Sequence, residues 1–476
     1  MHMHDRRNRQ RAGWSGKRPS RMAGLVAALT AVLATSLSLL LGVTPAAAQT
    51  AGRVLAWGGN DQGQLGIPGN VGFADVPTQA SLPAGATATD VAGGEAHSLA
   101  VTSAGVFAWG ANGSGQLGTG NNAGSRVPVP VEIPSGTVIT AVAAGGEHSL
   151  ALTSTGRVLA WGSNSAGQLG NPGVGESSNL PVPVLLPPGA TVTGIAAGGD
   201  HSLAVTSTGQ VLAWGLNEFG ELGNGTSDNF ATTPVAVDLP PGTAVTAVAA
   251  GENFSVARTA TGSVLAWGLN DQGQLGNGTT DNSDVPTPVS LPSGTTVTSV
   301  TTGALGNHTL VLTAVGDVFA WGSNEDFQLG NGDPNPATSP LQVALPPNTT
   351  ATAVAAAGRH SLALTSSGQL LAWGDNGFGQ TGNGTSGGAT ESPTQVSLPS
   401  GATVTTIAAG ANQNLAVSPS TVPGPDSGDG TTATTGPSPK TLMGTVLVAA
   451  ALMAAAAVSL RRRTRRRHGG LATTRP

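Results

Sequence analysis

From residue 49 to residue 418 apolar positions alternate with polar or small ones in short runs, the period of a half-buried β-strand, and the runs are broken by Gly, Pro, Asn and Thr. Asp200-His-Ser-Leu-Ala-Val-Thr206 and Gln210-Val-Leu-Ala-Trp214 flank the turn Ser207-Thr-Gly209, which predicts a hairpin. Upstream, Thr191-Val-Thr-Gly-Ile-Ala-Ala197 reads as a third strand built of small residues, and downstream Thr233-Pro-Val-Ala-Val237 reads as a fourth. This unit recurs seven times. Its Trp-Gly pairs stand at Trp57, Trp109, Trp161, Trp214, Trp267, Trp321 and Trp373, at steps of 52, 52, 53, 53, 54 and 52 residues, a period that specifies a repeat architecture.

A four-stranded unit cannot bury both faces alone, but seven of them stacked in a ring can. The expected fold is therefore all-β, a seven-bladed β-propeller with four-stranded blades. The small-residue strand (Val142-Ala-Ala144, Val248-Ala-Ala250) should lie innermost, where blades converge. The fourth strand carries a proline in every unit (Pro77, Pro128, Pro181, Pro234, Pro286, Pro340, Pro393) and should lie outermost, because proline cannot donate to a ladder. A linear solenoid would need distinct capping repeats, and the end units look like the rest. The first unit lacks its first two strands and the last consists of those two alone, so residues 53–81 and 403–417 should build one composite closing blade that leaves no free edge.

Most side chains that invite a chemical reading are repeat-equivalent. His97, His148, His201, His308 and His360 share one position, but Phe254 and Gln413 occupy it in the other two units, so a structural role is expected rather than a metal or proton site. The seven tryptophans should be core between blades, and Asn60, Asn112 and their equivalents should form turns. Asn224-Gly-Thr and Asn277-Gly-Thr match a glycosylation acceptor but read first as turns. No carboxylate pair, Ser/His/Asp set or phosphate-cradling loop stands apart from the repeat, so neither a catalytic centre nor a cofactor is expected.

What varies between units points to recognition. The turns between second and third strands barely change (Ser103-Ala-Gly105, Ser154-Thr-Gly156, Ser207-Thr-Gly209), so that face reads as structural. On the opposite face, the loop before each His position carries Glu95, Glu147, Asp200 and Glu252 in four consecutive units. The long loop after Trp-Gly carries Phe219, Phe327 and Phe378 where sibling units have Gln62, Ser114, Ala166 or Gln272. Apolar side chains at loop tips mark an interface, and aromatics serve as its anchors. These seven residues are the candidate partner-binding set.

Composition and the chain ends set the context. There is no cysteine, so disulfides and thiolate metal sites are excluded. Residues 1–48 combine arginines, an apolar run from Met22 to Val43 and Ala46-Ala47-Ala48, the pattern of a secretory signal peptide, with an uncleaved anchor as the alternative. Residues 419–441 read as a flexible linker, 442–460 as a transmembrane helix and 461–476, with Arg461-Arg-Arg-Thr-Arg-Arg-Arg467, as a basic cytoplasmic tail, which would place the propeller (49–418) outside a single-pass cell membrane protein. The propeller segment holds five arginines against 22 acids, a net charge of −17. Phosphate backbones are bound chiefly through Lys and Arg, so nucleic acid is excluded as a partner.

Trp-Gly-x-Asn-x-x-Gly-Gln-Leu-Gly followed by Val-x-Ala-Val-Ala-Ala-Gly-x-x-His-Ser-Leu-Ala-Leu resembles the repeat of the regulator of chromosome condensation family, and the likeness extends over about 52–417. The resemblance implies a seven-bladed propeller. The founder's nucleotide exchange and chromatin binding do not carry over to an exported, acidic chain in which no unit holds an inserted wedge. In character the chain is similar to the secreted β-lactamase inhibitory protein type II, whose loops use tyrosine, a residue absent here. The expected function is a non-catalytic cell-surface protein that presents its loop face to an extracellular protein with a basic or mixed surface. The alternatives are a propeller enzyme acting on cell-wall or other extracellular polysaccharide, or an inhibitor of a secreted hydrolase.

Overall fold

The computed structural model describes residues 52–419. These form 28 β-strands and no helix long and apolar enough to cross a membrane. Blade one consists of β3 (Ala88–Gly93), β4 (His97–Thr102), β5 (Gly105–Gly110) and β6 (Ser125–Pro130), paired antiparallel in that order. Blades two to six repeat this topology over residues 139–183, 192–236, 245–288, 297–342 and 351–395. Their inner strands neighbour one another in sequence, and the series returns from the last to the first. The blades are arranged in a ring.

The seventh blade is composite, as the sequence implied. Its strands are β27 (Thr406–Ala409), β28 (Gln413–Pro419), β1 (Gly52–Gly59) and β2 (Phe73–Gln79), two from each end of the ring. Val54 pairs with Val417 and Trp57 with Asn414. A single bridge from Gly52 to Ala88 also ties this sheet to blade one. The described chain therefore begins and ends side by side, Gly52 against Pro419, on the face that carries the turns between second and third strands. The signal, linker, transmembrane and tail assignments (1–48, 419–441, 442–460, 461–476) lie, apart from Pro419, outside the described residues.

Packing explains the pattern. All seven Trp-Gly tryptophans are fully buried, each against the preceding blade: Trp57 among Leu362, Leu364 and Ala372, and Trp161 among Leu99, Ala108 and Leu117. A buried aromatic removes ~150–250 Å² from water, worth about 4–6 kcal/mol at ~25 cal/mol per Å². The glycine after each tryptophan has a φ of 96° to 107° and sits where the ladder to the outer strand slips register. At Gly162 a Cβ would stand 2.4 Å from the Glu147 carbonyl, so only glycine fits. Each proline of the fourth strand lies on the outermost strand, where a missing N–H costs no ladder bond.

Candidate functional site

The histidine column forms a clasp between blades. His97 Nε2 lies 3.0 Å from Ser149 Oγ of the next blade, and His148, His201 and His308 reach Ser202, Ser255 and Ser361 in the same way. Each of these serines donates its single proton to a backbone carbonyl, that of Gln116, Gln168, Glu221 or Gln328, which also accepts the tryptophan Nε1–H of the serine's own blade. The serine oxygen must then accept from Nε2–H, which fixes the tautomer. His360 donates instead to Asn414 Oδ1 at 2.7 Å in the closing blade. Gln413, the histidine equivalent there, donates to the Gly94 and His97 carbonyls and completes the circuit. Burial holds these imidazoles neutral, pushing His97 and His360 down to about 4 and His148, His201 and His308 down to about 3. Where Phe254 replaces histidine, the facing Thr309 hydroxyl is buried without a partner. The column is structural.

Both variable loops lie on one face. The asparagine three residues after each tryptophan is buried, and its Oδ1 accepts the N–H five residues on, as Asn60 does from Leu65 and Asn164 from Leu169, which fixes the long loop. The short loops join blade to blade around the ring: Glu95 N–H donates to the Gly145 carbonyl, Glu252 N–H to Gly306 and Ala411 N–H to Gly94. Ser114 Oγ of blade one's long loop donates to Glu147 Oε2 of blade two's short loop at 3.0 Å, so the two loop families touch.

The four acids of the candidate set occupy two registers rather than one. Glu95 and Glu252 stand two residues before the His position, and Glu252 Oε2 accepts from Asn307 Nδ2 of the next blade. Glu147 and Asp200 stand one residue before it and lie against the long loop of the preceding blade, where Gln168 Nε2 donates to Asp200 Oδ1 at 3.0 Å. In blade six that position is Arg359, paired with Asp326 at 3.0 Å on an exposed surface, a contact of small stabilising value.

The phenylalanines also differ from one another. Phe378 is exposed at its loop tip, whereas Phe219 and Phe327 are half-buried. Phe219 and Phe378 share the position of Gln62 and Ser114, but Phe327 falls one residue later, at the site of the loop glycine (Gly63, Gly167, Gly379), with φ 62°. A side chain in that region carries about 1–2 kcal/mol of strain. Its sibling at the Gln62 position is Asp326. Sequence reasoning missed the exposed Phe73 and Phe230, which open the outer strands of the closing blade and blade three. It also missed the exposed acids Asp61, Glu218, Asp271 and Glu325, one residue after the loop asparagine. The latter were legible as a column.

Glu221 was legible too, as the single departure from glutamine in the column of Gln64, Gln116, Gln168, Gln274, Gln328 and Gln380. It is fully buried; Oε2 accepts the Phe219 N–H at 2.8 Å, as glutamine Oε1 does elsewhere, but Oε1 has no partner. Burial first, and then Glu218 and Asp200, push its carboxyl up to about 7. The folded state keeps this proton longer than the unfolded chain, so Glu221 costs no stability below about pH 4.5 and the cost grows as pH rises to 7. At pH 8 Glu221→Gln should raise the unfolding free energy by up to ~3 kcal/mol, and the gain should shrink to about 1 kcal/mol at pH 5. Chemical denaturation at both pH values checks this; an equal effect at both would refute it. The equivalent Gln274 donates to Asp271, so the new amide would have Glu218 within the same geometry.

On the turn face a cleft of about 810 Å³ between blades two and three is lined by Thr155, Arg157, Pro187, Pro188 and Thr191, and one of about 560 Å³ recurs between blades four and five. Both arise where the inter-blade linkers arch over the turns, away from every candidate side chain. Among the described residues no group of three or more His, Asp or Glu could hold a metal.

A closed ring of seven blades, velcroed by its own two ends and clasped by Trp, His and Ser, defines a β-propeller scaffold that displays loops. The chain belongs to the RCC1-like domain family: the family model for that domain matches residues 36–358, and the regulator of chromosome condensation (RCC1) repeat matches 367–417. It is 36% identical over 374 residues to human E3 ubiquitin-protein ligase HERC2, covering 76% of this chain but 8% of that protein. It is 33% identical over 335 residues to the ultraviolet-B receptor UVR8 of Arabidopsis thaliana, covering 70% of this chain and 75% of the receptor. Among solved structures it is similar to human WBSCR16 (TM-score 0.69, 26% identity, 77% of this chain and 99% of that one). Prp20p from Saccharomyces cerevisiae, described together with its binding to Gsp1p and histones, shares the fold (TM-score 0.66, 24% identity, 78% and 92% covered).

Proposed function

We propose that this protein is a non-catalytic, cell-surface binding propeller that presents its loop face to an extracellular protein with a basic or mixed surface. One observation carries this reading: the acids and phenylalanines of the two variable loop families lie on one face, and the described chain begins and ends on the other. The charge of the loop face is one-sided. Glu95, Glu147, Asp200 and Glu252 are joined there by Asp61, Glu218, Asp271 and Glu325, while Arg126 is committed to the Asn60 and Asp61 carbonyls and Arg359 to Asp326. Such a field favours a cationic partner and suppresses an anionic one. The ligase activity of HERC2 belongs to a protein of which this chain spans 8%.

The test is capture of extracellular proteins by the purified chain across a salt series. Saturable binding that weakens with salt, and about tenfold or more on Glu147→Gln with Asp200→Asn, is the expected result. Turnover of a cell-wall glycan that disappears in Glu147→Ala would instead make the protein an enzyme. Inhibition of a secreted β-lactamase would make it an inhibitor.

A further inference from the structure

Among the described residues large apolar side chains stay exposed on every side of the ring, mostly one per blade, as Val127, Leu180 and Val285 do before the proline of the outer strand. At the seam between blade six and the closing blade four converge: Val71 (47% exposed), Phe73 (40%), Val76 (37%) and Phe378 (40%). Gly59 brings them together. It pairs with Phe73 across the ladder, and a Cβ built on it would lie 3.8 Å from Phe378 Cβ. Asn60 beside it donates to the Val71 carbonyl at 2.8 Å. Gly379 and Gly384 of blade six rest over Asp75 and Val76.

The glycine contacts recur at other seams, Gly115 and Gly120 over Asn179 and Leu180 and Gly220 and Gly225 over Asp284 and Val285, but the aromatic pair does not. The residues matching Phe378 and Phe73 are Ser114 with Ser177, Ala166 with Phe230, and Asp326 with Ala389 at seams whose registers define the pair. An aromatic stands on both sides only where the ring closes. The rim is anionic: Asp61 approaches Gly72, Asp75 lies under Gly379, and the Asp375 carboxylate, bonded by the Gly377 N–H and Gln380 Nε2, precedes Phe378. Of the cations nearby among the described residues, Arg126 is spent on the Asn60 and Asp61 carbonyls from the far side of the loop, and Arg359, whose carbonyl accepts the Asp375 N–H, on Asp326.

We propose that this seam docks a polypeptide segment that carries a lysine or arginine beside a large apolar side chain. The proposal rests on the reading of the loop face as a protein-binding surface and names the part of it that anchors the partner. The apolar side chain would enter between Phe73 and Phe378 and the cation would meet Asp61, Asp75 or Asp375. Aromatic anchors of this kind dominate interface energetics, and acids at the rim select the partner's charge.

The full chain, purified in a mild detergent, is offered a library of short random synthetic peptides. Enriched peptides are expected to join Lys or Arg to Leu, Phe, Trp or Met. Their affinity should fall about tenfold or more in Phe73→Ser with Phe378→Ser, and fall with salt. Both phenylalanines are exposed, so an unchanged thermal transition separates lost docking from lost folding. Binding that survives the seam pair but drops with Glu147→Gln and Asp200→Asn would overturn the seam and keep the loop face; binding indifferent to both pairs would overturn both. Enrichment of acidic or purely apolar peptides, or none, would also overturn the proposal. So would self-association abolished by the seam pair, which would make the occupant a second copy of this chain.

Discussion

Lowering the pH from 7 to 5 should cost this protein a net of about 6 kcal/mol of folding stability. Five imidazoles are fully buried and held neutral, at about 3 for His148, His201 and His308 and about 4 for His97 and His360, against 6.5 in the unfolded chain. Between those limits the unfolded state binds protons that the folded state refuses, so stability is complete above about pH 6.5 and is lost as pH falls. At pH 5 each histidine is ~1.5 units below its free value, about 2 kcal/mol at 1.36 per unit. Two carboxyls work the other way. Glu221, near 7, and Asp90, raised to about 6 by burial although its Oδ2 accepts the Val142 N–H, are relieved by acid. Five against two leaves a net loss. Denaturant midpoints from pH 8 to 4 measure it. His201→Gln, which places the closing blade's own Gln413 solution in blade three, should remove about 2 kcal/mol of that loss. A midpoint flat between pH 7 and 5 would mean that water reaches the imidazoles.

Deleting residues 403–419 should abolish cooperative unfolding. Loss of β27 and β28 strips β1 of its ladder from Gly52 to Gly58, exposes Trp57 and its bed in blade six, and removes the Asn414 acceptor of His360 and the Gln413 bonds to blade one. Uncovering one tryptophan alone costs about 3–5 kcal/mol, and two open sheet edges invite aggregation. A circular permutant is the control. With residues 52 and 419 joined by a short Gly/Ser linker and the chain reopened in the turn at 103–104, every blade keeps four strands, and its melting temperature should lie within a few degrees of the parent. Equal behaviour of truncation and permutant would show that the ring does not depend on its seventh blade.

Much of this was legible along the chain. The 52-to-54-residue step, the small-residue strand and the proline strand fixed blade number, strand order and which strand lies inside, because alternation and proline chemistry are local. The complementary end units announced the composite blade. The column of five histidines interrupted by Phe254 and Gln413 announced a structural role, though not the serine of the next blade that each imidazole finds. The glutamine column also carried Glu221, a departure that the reading of the sequence passed over, and its burial and unpartnered oxygen needed coordinates.

The candidate surface was only half legible. That its acids and phenylalanines share one face follows from strand direction alone. Which of them stand together does not: the one-residue difference in register between Glu95 and Glu147 is visible in the sequence, but only the structure shows that one N–H joins the ring of short loops and the other carboxylate lies on the neighbouring long loop. Phe327 looks like Phe219 but takes the glycine position. Phe73 and Phe378 lie 305 positions apart and meet only because the two ends of the chain share a blade. Local chemistry wrote the strands, the turns and the core into the sequence; closure of the ring, which sets residues from opposite ends beside one another, decided the surface.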